Sequence, residues 1–167
     1  MRLSSNTVYG FVTGTVLASV MLAVEPASGA EGRPSYTMVW IGLSAVVTAV
    51  TRSYGLHVST HESDSDFWPD LGKSMGQGWP IVAACVPTLL LVFVAMLTHW
   101  PDDHFDAGIR AGIGYTSVGL LLNVVLLFGW GVAAARNGGY PLGRTLLVGS
   151  INALLGLTVV AANLAVR

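Results

Sequence analysis

Charge is what this sequence has least of: 8 lysines and arginines and 9 aspartates and glutamates make up 10% of its 167 residues, against about a quarter in a soluble domain. That excludes an ordinary soluble globule. The formal net charge is -1 and no basic cluster occurs, which removes the electrostatic footprint of nucleic-acid binding. A single cysteine, Cys85, excludes an intrachain disulfide, a multi-cysteine zinc site and a CxxC redox centre. No nucleophile with a plausible base, no paired carboxylates within an apolar run and no phosphate-binding loop appear, so neither an enzyme nor a resident cofactor is expected.

What is present is apolar length. Five windows carry no charge at all: 3–24, 34–51, 74–101, 111–135 and 145–166. Each can cross about 30 Å of hydrocarbon as a helix, which takes roughly 17 to 25 residues. The sequence therefore predicts an all-α fold, a single integral membrane domain over 1–167, with five transmembrane helices near 7–24, 36–60, 80–99, 107–135 and 142–165. Glu25-Pro26 and Arg33-Pro34 bracket the first linker, Pro80 is expected to open the third helix, Pro101 follows it, and Gly138-Gly139-Tyr140-Pro141 makes the last turn. The run from Val8 to Val24 is long for a secretory signal core and is interrupted by Gly10, Thr13, Gly14, Thr15 and Ser19, so the first helix is expected to be retained. Arg2, Arg52, Lys73, Arg136 and Arg144 fall on one side, and Arg33, Arg110 and Arg167 on the other. The positive-inside rule then places the amino terminus in the cytoplasm and the carboxyl terminus outside, in the cytoplasmic membrane. Tyrosines and tryptophans gather toward span ends, as amphipathic rings at a lipid interface do.

Small residues recur at helical spacing: Gly10, Gly14 and Ala18, then Gly108 and Gly112, then Gly149, Ala153 and Gly156. In lipid, helices associate by close backbone approach, so these stripes mark packing faces, either within one subunit or between two copies. The first stripe underlies an expected homodimer.

Polar residues within the spans carry whatever chemistry there is. The second helix holds Ser44, Thr48, Thr51, Arg52, Ser53, Tyr54, His57, Ser59, His61 and Glu62. Residues 36–62 as one helix rise about 40 Å, more than the hydrocarbon, so this end projects into water or lines a cavity. Arg52 either snorkels to headgroups or fixes a charge on the wall of a pathway. His57 and His61, four apart with Glu62 beside them, have the spacing of a weak transition-metal site. His99, Asp102, Asp103, His104 and Asp106 crowd the loop between the third and fourth spans, a solvated acidic loop or a second cation site. Asn123, Asn152 and Asn163 suit interhelical hydrogen bonds, or a permeation path.

On these residues the chain resembles the vacuolar iron transporters and related manganese/iron exporters. Tyr9-Gly10-Phe11-Val12-Thr13-Gly14 is similar to that family's DGLVS pattern, and Gly55-Leu56-His57-Val58-Ser59 to its GEYVS pattern. Leu127-Phe128-Gly129 through Arg144 to Leu147-Val148-Gly149 is similar to its Gly/Ala-rich helix, basic turn and final helix. The resemblance covers most of the chain and implies five spans with the amino terminus inside. It also implies departures: Tyr9 and Leu56 stand where the family has its metal-binding carboxylates, and Arg52 where it has a methionine.

The expectation is therefore a transporter-like protein in the lipid bilayer, a relative of divalent-metal transporters that kept their scaffold without their metal site. It would move a small ion or solute by alternating access past Tyr9, Arg52, Tyr54, Leu56 and His57. An anion or proton suits the permanent charge of Arg52 better than a divalent cation. The alternative is a non-transporting scaffold or accessory subunit.

Overall fold

The computed structural model describes residues 4–24, 34–60, 67–100 and 113–166. Among them the regular structure is entirely helical: α1 (Ser5–Val24), α2 (Pro34–Thr60), α3 (Phe67–Thr98), α4 (Tyr115–Asn137) and α5 (Leu142–Val166). All five are long and apolar enough to cross a membrane. The outward faces of α2, α3 and α5 carry exposed apolar side chains such as Val46, Leu90 and Ile151, which cost nothing against lipid tails.

Two antiparallel hairpins, α2 with α3 and α4 with α5, flank a central α1 that touches all four other helices. Glycine makes this possible. A Cβ on Gly10 would lie 2.7 Å from that of Pro80, and one on Gly14 would collide with the Ile81 carbonyl and sit 2.8 Å from the Ala84 Cβ. The Cys85 thiol uses the same approach to donate to the Gly14 carbonyl at 3.3 Å. Gly10 and Gly14 of the first stripe are thus occupied by α3 of the same chain, the intrasubunit alternative, rather than left open as a dimer seam. Gly131 meets the Gly149 backbone across the second hairpin, and Gly156 packs on Leu127 and Val124. Gly108 and Gly112 lie outside the described residues.

The third helix does not open at Pro80. It runs from Phe67, with Pro80 and Pro87 inside it. A proline within a helix removes one backbone bond, but neighbouring helices in a membrane bundle compensate for such defects, and Pro80 seats directly on the bare backbone of Gly10. The fourth helix begins at Tyr115 rather than near 107, because Gly114 is extended (φ -78°, ψ 170°); residues 101–112 lie outside the described residues.

The α4–α5 turn is built by its two glycines. Gly139 adopts φ +74°, and the amides of Gly139 and Tyr140 donate to the carbonyls of Arg136 and Ala135, the paired bonds that close a helix through a left-handed residue. His99 closes α3 in the same conformation, φ +52°, and the neighbouring Trp100 indole donates to the Ile113 carbonyl at 3.1 Å, tying the end of α3 to the start of α4.

Candidate functional site

All nine carboxylates lie outside the charge-free windows, so the spans offer no anion to neutralise Arg52. Tyr9, on the second turn of α1, takes that place. The Arg52 guanidinium lies 4.0 Å from the centroid of the Tyr9 ring, an arrangement that attracts by about 0.5–2 kcal/mol. Arg52 Nη1 is buried with no hydrogen-bond partner among the described residues. Helix periodicity sets the pair: α2 buries Ala49 and Ser53 against Gly78 of α3, which leaves Arg52 on the flank of α2 that meets α1.

Leu56, one turn on, shares that flank and is half-buried. Tyr54 does not. Two residues from Arg52 it points to another side of the helix, and it is 59% exposed. His57 is buried, 2% exposed, and five residues of helix turn it about 140° away from Arg52. Tyr9 and Arg52 are brought together, then, with Leu56 on the same flank of α2, while Tyr54 and His57 face elsewhere. His61 and Glu62, the proposed partners of His57, lie outside the described residues. So do Asp102, Asp103, His104 and Asp106. Among the described residues no three His, Cys, Asp or Glu side chains cluster as metal ligands.

Beside Tyr9 lies an open cavity of about 430 Å³ between α1 and α4, lined by Ser5, Val8, Tyr9, Ala134, Asn137 and Gly138. The Asn137 amide nitrogen is buried and unpartnered among the described residues. One turn deeper, Phe11 and Trp130 stack face to face with centroids 4.1 Å apart and planes at 6°. Sequence reasoning missed Asn137, and took Trp130 only as an interfacial aromatic. Their signal was a seven-residue spacing along one helix.

A second cavity of about 350 Å³ opens between the far ends of α1 and α5, where Thr158 and Asn163 are its polar lining. Both are satisfied: Thr158 donates to the Leu155 carbonyl and Asn163 to that of Ala23. In the core between the two, Thr88 donates to Asn123 Oδ1 at 2.7 Å and joins α3 to α4. Asn123 and Asn163 thus make the interhelical bonds expected of them.

The chain matches no protein-family model, no curated protein and no solved structure.

Proposed function

We propose that this five-span membrane protein moves a small anion across the cytoplasmic membrane by alternating access, entering beside Tyr9 and Arg52 with the amino terminus on the cytoplasmic side. One observation carries the reading: a permanently charged guanidinium is held within a span, on a tyrosine ring, with a buried nitrogen that has no partner among the described residues and no carboxylate along any span. A cation in that setting is suited to an anion and repels Fe²⁺ or Mn²⁺, so kinship with the metal exporters would extend to scaffold and not to cargo. Weak transition-metal binding through His57, His61 and Glu62 would be peripheral to it. A homodimer in this reading is built on outward faces, since α1 is enclosed by the other four helices.

Proteoliposomes loaded with a halide-quenched dye test it. Wild-type protein is expected to admit iodide, Arg52→Met to slow entry about tenfold or more, and neither to admit Fe²⁺ or Mn²⁺. Equal iodide entry by both proteins refutes the assigned entrance. The rival, a scaffold or accessory subunit, draws support from the close glycine packing of α1 on α3, and gains if wild-type vesicles are no leakier than empty ones.

A further inference from the structure

Four buried polar atoms of α4 share both a regular spacing and the lack of a partner among the described residues: Thr116 Oγ1, Asn123 Nδ2, Trp130 Nε1 and Asn137 Nδ2. They are seven residues apart. Seven residues return to nearly the same side of a helix, drifting about 20° each time, so the four form one file. From the first to the last it rises about 31 Å, the thickness of the hydrocarbon. The file faces inward: Asn123 meets Thr88 of α3, Trp130 stacks on Phe11 of α1, and Asn137 lines the cavity beside Tyr9. Leu121 and Val125, on the outward face of α4, are exposed and apolar.

Three of the four free atoms are N–H groups, and an indole nitrogen can only donate. Such groups are costly to leave unmade in an apolar interior, and packing alone does not explain why the four share one inward file that ends at the cavity. We infer that this file on α4 is the wall of a translocation route for small hydrogen-bond-accepting anions, open at Asn137 and closed by the Phe11–Trp130 stack. The route rests on the transport reading above but is located by different residues. The stack sits where a gate must, between the cavity and Asn123: Asn137 is reachable from the cavity, and Asn123 is fully buried beyond the rings. Parting two aromatic side chains requires only rotamer changes, whereas α1 and α3 are locked backbone to backbone at Gly14.

Cysteine accessibility in proteoliposomes tests it, in a Cys85→Ala background so that no native thiol competes. The reagents are an anionic and a cationic membrane-impermeant methanethiosulfonate. Asn137→Cys is expected to react, Asn123→Cys to be protected, and Asn123→Cys to become about tenfold or more faster once Trp130→Ala or Phe11→Ala opens the stack, since thiol reactivity follows access. The anionic reagent is expected to outpace the cationic one about tenfold, and Val125→Cys on the lipid face to stay inert throughout. Protection of Asn123→Cys in both opened variants overturns the route. Reaction of Asn123→Cys with the stack intact, or of Val125→Cys at a similar rate, overturns it equally. Iodide flux on the same vesicles separates the two readings: the expected labelling with no flux refutes transport while retaining an anion-accessible file, and flux without labelling refutes the file.

Discussion

Replacing Gly14 by alanine puts a single methyl group where α1 and α3 touch. That carbon would collide with the Ile81 carbonyl and lie 2.8 Å from the Ala84 Cβ. Carbon atoms settle at about 3.5–4.0 Å, so the helices must part by about 1 Å, and a gap of that size forfeits roughly a quarter to a half of each dispersion contact it opens. The obstacle is backbone and cannot rotate away, which places the cost at the upper end of overpacking, about 3 kcal/mol. The Cys85 thiol bond to the Gly14 carbonyl is stretched as well. Circular dichroism during an SDS titration in mixed micelles reads the effect. Gly14→Ala is expected to lose helix at markedly lower detergent fraction, with its oligomeric state unchanged by light scattering. Gly129→Ala is the control: a Cβ there meets nothing within 4 Å, and the better helix former is expected to be neutral or to stabilise by up to about 1 kcal/mol. A Gly14→Ala protein as stable as wild type but with a smaller assembly would refute the reasoning and return the stripe to a dimer seam.

Three further outcomes are expected. Gly139→Ala forces a side chain into φ +74° and is expected to cost about 1–2 kcal/mol in the same titration, far more than Gly143→Ala, where a Cβ meets nothing within 4 Å. Thr88→Val removes the donor to Asn123 Oδ1 and is expected to cost about 1–2 kcal/mol; with Asn123→Leu also present, a double-mutant cycle should recover a coupling of about 0.6 kcal/mol or more, and a coupling of zero would mean that the bond does not form in the membrane. A reporter fused after Arg167 is expected to be active only when exported, following the asymmetry of arginine and lysine, and activity confined to the cytoplasm would invert the topology.

The five spans were legible in the residue order because transfer into hydrocarbon is nearly additive along a chain: a run without charge, long enough to cross, declares itself without reference to any other run. The last turn was legible for a similarly local reason, since only Gly139 suits its left-handed position. Which helix lies against which is a different kind of fact. Gly10 and Gly14 advertise a close approach, and a neighbour of the same chain and a second copy satisfy that signal equally well; only the fold shows Pro80, Ile81 and Ala84 filling it. Pro80 reads locally as a helix start, yet it sits inside α3 because α1 offers it a bare backbone. Tyr9 and Arg52 are far apart in the chain and were grouped as pathway residues by resemblance, whereas their stacking depends on α1 and α2 crossing at those turns. Tyr54 and His57 were grouped with Arg52 by proximity in sequence, and helical rotation separates them. Hydrophobicity belongs to single residues and so can be read in order; packing belongs to pairs, and the partner is known only once the chain has folded.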